Sequence, residues 1–251
     1  MPLTLPTHPV AVVPLKLWRP RWFDGVALVV GSIAPDVSYA FAGYGFIIPS
    51  HTWHGALWWG LPVTLLGTWL VRRSAPAVAA HLPPGGMLAL RDYGVLGTVR
   101  HRWYVTAMSA LVGVYSHLGW DSFTHPTIDG VRPLHPFLVR SVVPGVPLWD
   151  LLSTVSDLFG FVAATLLIIH IGRHRLLRRW HGPPLLGKAR PGLFWSAVAA
   201  VLGVGLVWLV VEPVQYRLVH LIQAMLIGGL ALLAGAAVVG ASEQQTADRQ
   251  S

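Results

Sequence analysis

The chain contains no cysteine among its 251 residues. Disulfides and thiolate metal sites are thereby excluded, and any metal ion has to be held by His, Asp or Glu. Charge is also scarce: 11% of residues are charged, against roughly 25% in a soluble globular domain. Acids are scarcer still, with only ten Asp and Glu, so each acid in an apolar neighbourhood requires an explanation. No basic segment precedes a compact apolar core at the N-terminus, so a cleaved signal peptide is not expected. What is present in excess is hydrophobicity, at 54% of residues and a mean hydropathy of +0.58. The apolar residues fall in runs of about 20, the length that crosses a bilayer. These features specify an all-α, polytopic integral membrane protein. The formal charge of +8 is no nucleic-acid footprint, because the cations cluster between apolar runs, where they encode membrane orientation.

Residues 7–18 are apolar but too short to span, with Thr7 placed to cap a helix that Pro9 and Pro14 weaken. Arg19-Pro20-Arg21 reads as a turn, and a second run, 22–34, ends at Pro35-Asp36. Two helices of such similar length form a hairpin whose open end brings His8 beside Asp36. The segment opening at Ser50-His51-Thr52-Trp53-His54 runs to Leu70 as a transmembrane candidate kinked by Pro62 and stopped by Arg72-Arg73. Residues 74–103 read as a loop, and 103–121 as the next span. A Pro-rich connection, 122–150, leads to apolar runs at 151–171, 193–211 and 218–240. The expectation is about five transmembrane helices plus a short N-terminal helical hairpin.

The 72–103 and 172–192 connections hold eleven Lys or Arg, whereas 122–150 holds only Arg132 and Arg140. The positive-inside rule puts the first two in the cytoplasm together with the C-terminus. Residues 49–54 and 117–150 then face outward, and a hairpin dipping in from outside adds His8 and Asp36 to that end. Lys16, Arg19 and Arg21 must then be sheltered at membrane depth. The rival placement makes 24–44 a full span and strands His8 on the other side.

The chemistry-bearing stretch is Ser116-His117-Leu118-Gly119-Trp120-Asp121-Ser122-Phe123-Thr124-His125-Pro126. Residues four apart share a helix face, so His117 and Asp121 project side by side as adjacent ligands of a divalent metal. The alternative is a structural pair capping the helix. His125 precedes Pro126, which pushes its backbone out of the helical region, and it qualifies as ligand or as a supporting donor. Asp129-Gly130 continues the four-residue step but is foremost a turn. Asp36 either caps the following segment or joins the ligands. His51 and His54 are not separated by spacing alone. His101, His170, His174 and His181 lie near basic clusters, and His220 is a lone imidazole inside the last span. Arg132, Arg140 and His135 are candidates to hold a phosphate.

The ordered set Thr7-His8-Pro9, Gly31-Ser32-Ile33-Ala34-Pro35-Asp36, His51-Thr52-Trp53-His54-Gly55-Ala56-Leu57 with Leu61-Pro62, and Ser116-His117-Leu118-Gly119-Trp120-Asp121-Ser122-Phe123-Thr124-His125-Pro126 resembles the bacterial membrane proteins grouped as domain of unknown function 4184. The resemblance covers roughly residues 1–170, leaving 171–251 as a basic cytoplasmic loop, two further spans and a short polar tail. The Leu61-Pro62 spacing makes His51 the matching imidazole. The order of ligands is also similar, more distantly, to membrane-bound metal-dependent hydrolases and the zinc phospholipase C and P1 nuclease type. That likeness implies one Zn²⁺ on Asp36, His51, His117 and Asp121, with His8 sharing Asp121 with a second and His125 matching in order.

The reading is a metal-dependent hydrolase of the bacterial inner membrane, acting on an ester or phosphoester of a lipid-like substrate at the outer face. Asp36 would orient or deprotonate the attacking water, and membrane lipid is the expected partner. The alternative is a non-catalytic protein or transporter in which the His/Asp cluster is structural or lines an ion path.

Overall fold

The computed structural model describes residues 7–46, 48–125, 135–212 and 217–248, and these are almost wholly helical. The helices are α1 (Thr7–Trp18), α2 (Gly25–Ile33), α3 (Leu61–His81), α4 (Trp103–Thr124), α5 (Leu148–Arg173), α6 (Leu176–His181), α7 (Pro191–Val211) and α8 (Arg217–Asp248). A small antiparallel ribbon, β1 (Ser141–Val143) and β2 (Val146–Pro147), leads into α5. Among the described residues, three segments are long and apolar enough to cross a membrane: Leu148–Arg173, Pro191–Val211 and Val219–Gln245. Of the five expected spans, the two N-terminal ones have the length, at 21 residues for α3 and 22 for α4, but not the apolarity. α3 carries Arg72 and Arg73, and α4 gives part of its surface to Ser, Thr, His and Asp.

Two expectations about boundaries are corrected. Arg72-Arg73 does not stop α3, which continues through Pro76 to His81, so the first part of 74–103 is helix rather than loop. Arginine is a good helix former; a charged pair ends an apolar run without ending a helix. Residues 24–44 are not one span either. α2 ends at Ile33 and a tighter 3₁₀ stretch, Pro35–Phe41, follows.

The chain divides into two compact units. The first comprises residues 1–38, 47–68 and 101–167, and it contains the hairpin, α4 and most of α5. Asp24 sets the start of α2: its Oδ1 accepts from the backbone of Val26 and Ala27, 3.2 and 3.3 Å away, and caps the helix. Its Oδ2 accepts from Thr106 (2.7 Å) and its N–H donates to Ser109 (2.9 Å), fastening the hairpin to the first turns of α4. Further along, α2 and α4 meet backbone to backbone. A Cβ on Gly31 would lie 2.5 Å from the Ala110 carbonyl oxygen, and one on Gly113 would lie 2.5 Å from that of Leu28. Small residues of this kind let membrane helices approach closely. α5 closes the other side, where Thr7 donates to the Ser156 carbonyl (2.7 Å) and the Trp120 indole to the Ser156 hydroxyl (2.7 Å).

The second unit comprises residues 39–46, 69–100 and 168–251. α7 and α8 pack antiparallel over Phe194, Val198, Ala231 and Val239, with Gly235 leaving room for the Phe194 ring. Asp92, buried, takes Arg175 at 3.1 Å and Arg178 at 3.2 Å. His81 is wedged between the Ala77 carbonyl, the Arg190 amide and the Phe194 ring.

Candidate metal centre

The close approach of α2 and α4 decides the state of His117. With the two backbones in contact, the Ser32 carbonyl lies 2.8 Å from His117 Nδ1 and can only accept, so Nδ1 carries the proton. The Nε2 lone pair of the neutral ring points inward.

His51 is fixed by a relay. Ser38 Oγ donates to the Pro35 carbonyl at 2.8 Å. A hydroxyl has one hydrogen, so the 2.8 Å contact between Ser38 and Ser50 is donated by Ser50. Ser50 must then accept from His51 Nδ1, 3.0 Å away. The neutral His51 ring therefore also presents the lone pair of Nε2 to the interior.

These two lone pairs face each other at 3.2 Å. Asp36 Oδ1 lies 3.2 Å from His51 Nε2 and 3.5 Å from His117 Nε2. Asp121 Oδ2 lies 3.0 Å from His117 Nε2 and 3.6 Å from His51 Nε2. Four acceptor atoms at such separations repel unless positive charge stands among them. Donors about 2.0–2.1 Å from a tetrahedral first-row divalent cation are themselves about 3.3–3.4 Å apart. The observed spread of 3.0–3.6 Å straddles that value, and the donor set, nitrogen plus carboxylate oxygen, fits a divalent metal ion.

His8 stands behind this group. Its ring stacks on that of His117 with centroids 3.9 Å apart, and its Nε2 lies 3.5 Å from Asp121 Oδ1. His8, Asp36 and His117 form one set of three whose ligand atoms lie within 4.8 Å of one another; His51, His117 and Asp121 form the other. Asp121 Oδ1 is enclosed and has no hydrogen bond. His125, with extended backbone at the end of α4, approaches that oxygen at 3.4 Å through Nδ1. Thr124 donates its hydroxyl to Trp120 O and so accepts from the same Nδ1 at 3.0 Å. His125 thus donates its Nδ1–H to Thr124, stands beside Asp121 and belongs to neither converging set.

The sequence profile described as Domain of unknown function (DUF4184) matches residues 1–242. The chain belongs to this family. The match extends past residue 170 through both C-terminal helices, beyond the part in which the motifs are concentrated. No curated protein and no solved structure matches the chain.

In this member of the family, His8, Asp36, His51, His117 and Asp121 therefore gather at one end of the first unit. Burial alone would push the Asp36 carboxyl up, but where no cation stands between them the charged forms of the His117 and His51 imidazoles outweigh it and hold it below the usual carboxylate range. Access is graded: the His117 side chain is fully buried, whereas His51 and Asp121 are 16% and 17% exposed. Access is thus greatest at His51 and Asp121; Trp53, two residues after the first, and Phe123, two after the second, are exposed.

The other candidates are dispersed. His54 is exposed on the turn after His51. His135 stacks on Phe123 and lies 3.5 Å from Ser122, while Arg140 is exposed. Asp129 and Arg132 lie outside the described residues. His220 is not lone: in the second unit its Nε2 is 3.4 Å from buried Glu212. Sequence reasoning overlooked Ser32, Ser38 and Ser50, the residues that orient the imidazoles, and the Gly31–Gly113 contact that brings Ser32 to His117. The available signal was Ser50 immediately before His51 and the glycines spaced along α2 and α4.

Proposed function

We propose that this protein is a metal-dependent hydrolase of the bacterial inner membrane, using zinc to cleave an ester or phosphoester of a lipid-like substrate near the outer face. The observation that carries the reading is the inward convergence of two tautomer-fixed imidazoles on the carboxylates of Asp36 and Asp121, with the donor atoms of His51, His117 and Asp121 3.0–3.6 Å apart. Only one edge of that group is accessible. His51, His117 and Asp121 would hold the ion, with Asp36 beside the fourth position, which has to be open to water for hydrolysis. His8 would serve a second ion through Asp121. A bound zinc supplies hydroxide near neutral pH, because the cation lowers the pKa of its water.

The chain's own residues supply the rest. Asp36, with Oδ1 3.2 Å from His51 Nε2 and 3.5 Å from His117 Nε2, is suited to orient an attacking water rather than to act as a strong base. His125, with Nδ1 3.4 Å from Asp121 Oδ1, flanks that carboxylate. Trp53 and Phe123 give the accessible edge an apolar rim for an acyl or isoprenoid chain. The orientation with the C-terminus inside, and the count of five spans including α3 and α4, rest on the cation distribution.

A transport role would require polar groups through the membrane thickness. Between Ser109 and His117, the buried positions of α4 are Ala110, Gly113 and Val114, none with a polar side chain. This favours a localised site. The test is metal analysis of purified wild type and Asp121→Ala, followed by hydrolysis of short-chain phospholipid and p-nitrophenyl ester probes. About one zinc or more in wild type, lost in the variant with the hydrolysis, supports the reading; equal and negligible zinc in both discards it.

A further inference from the structure

At the far end of α4 from the metal ligands lies a second surface of defined chemistry. The hairpin tip reads Trp18-Arg19-Pro20-Arg21-Trp22, and both indoles stand out, 68% and 72% exposed. The Arg19 guanidinium lies 4.9 Å from the Trp18 ring and 5.7 Å from the Trp22 ring, bridging the two as a cation over aromatic faces. The tip is built to hold this shape. Lys16 turns back and donates to the carbonyls of Pro20 (2.6 Å) and Phe23 (2.8 Å). The sheltering that this lysine requires at membrane depth is supplied by these two carbonyls.

The Asp24 contacts with Thr106 and Ser109 bring the tip beside the start of α4. There Trp103 is 81% exposed and Arg102 donates to the Tyr104 hydroxyl at 2.9 Å. Residues 16–23 and 101–105 contain no acid, and Asp24, which follows the tip, is buried in its cap. One turn further along α4, the outward side chain is Met108, exposed and apolar. The surface therefore passes within a turn from cations and indoles to hydrocarbon, the profile of a headgroup layer meeting acyl chains.

We propose that Trp18, Arg19, Arg21, Trp22, Arg102 and Trp103 form a docking surface for anionic phospholipid headgroups of the inner leaflet. The occupant is argued from charge and depth together. Arginines supply the counter-charge to lipid phosphate, and the indoles occupy the interface. From Arg102 to Asp121, α4 rises about 28 Å, close to the roughly 30 Å of a hydrocarbon core. Arg102 and Trp103 seated at one boundary thus place Asp121 near the other, while the tip, about 15 Å along α1 from His8, reaches down toward the same boundary as Arg102. This proposal does not depend on the metal reading.

Because the chain has no cysteine, Trp22→Cys gives one labelling site for an environment-sensitive fluorophore. The labelled protein is placed in nanodiscs of phosphatidylcholine and phosphatidylglycerol, with bromine on the acyl chains of one lipid or the other. Brominated phosphatidylglycerol should quench about fivefold or more above brominated phosphatidylcholine, the preference expected from about one arginine-headgroup contact. Replacing Arg19, Arg21 and Arg102 together by Gln should abolish that preference while leaving the label at the interface. All three are exposed, so the fold is expected to survive. Equal quenching by the two lipids, or a label in bulk water that neither lipid quenches, would overturn the proposal; the latter outcome would point to a protein partner.

Discussion

His51 and His117 present their Nε2 atoms to each other across 3.2 Å, although each ring has its Nδ1 committed to a different acceptor, Ser50 and Ser32. Neither ring can turn its proton inward without giving up that bond. The pair is therefore pre-arranged to share a cation, and what arranges it lies outside the ligand set.

The Ser38–Ser50 relay gives the first prediction. Ser50→Ala removes the acceptor of His51 Nδ1, so the ring loses its tautomer preference and its orientation. Outer partners of this kind are typically worth 10–100-fold in metal affinity. Zinc titration against a competing chelator should show a loss of about that size. Ser50→Thr, which keeps the hydroxyl, should recover most of it. Unchanged affinity in Ser50→Ala would mean that the relay does not set the ring.

A second prediction separates close packing from helix propensity on the same helix. In Gly113→Ala, the new Cβ meets backbone of Leu28 and Ser32, which cannot swing aside as a side chain would. Overpacking of this type costs on the order of 1–3 kcal/mol, and here it also pushes Ser32 away from His117. Gly119→Ala meets nothing within 4 Å and should be neutral or stabilising by up to about 1 kcal/mol. Thermal unfolding in detergent should put the two variants on opposite sides of wild type. Zinc affinity should fall for Gly113→Ala.

The contrast shows which parts of the fold were legible in the sequence. The equal arms of the N-terminal hairpin and the four-residue step from His117 to Asp121 are short-range features. Both translate directly into the contacts of His8 with Asp36 and of His117 with Asp121. The three long C-terminal runs were equally plain, because nothing competes with hydrophobicity there. The end of α3 was misread because charge was taken for a helix stop. The orientation of His51 could not be read at all. It depends on Pro35, Ser38 and Ser50 meeting around a turn, and a hydroxyl relay has no periodicity.

Asp24 supplies a third prediction, chosen because it is remote from the ligands. Asp24→Ala removes the α2 cap, worth about 0.5–2 kcal/mol, and also strands the Thr106 hydroxyl. The melting temperature should drop while zinc affinity stays within about twofold of wild type, since distant and independent sites behave additively. A large loss of affinity would show that the hairpin moves as a lever and the two ends of α4 are coupled.

The fourth prediction concerns pH, and its sign follows from the ligands. Zinc binds neutral imidazole and ionised carboxylate, so binding releases protons and weakens as pH falls. The Asp36 carboxyl is held below the ordinary carboxylate range by His117 and His51, so it stays ionised over the range in which zinc is titrated. The imidazoles, not Asp36, therefore set the upper part of the curve. Affinity should fall as pH falls from about 8 to about 5, by roughly tenfold per pH unit for each proton taken up. In the metal-free protein the sign for Asp36 is the same. Its depressed carboxyl contributes stability above the unfolded value of about 3.9, and that contribution is lost as pH falls through the folded value. Isothermal titration with zinc from pH 5 to 8 in two buffers of different ionisation enthalpy counts the protons released. Affinity that does not change with pH, with no proton released, would show that the imidazoles are not the ligands.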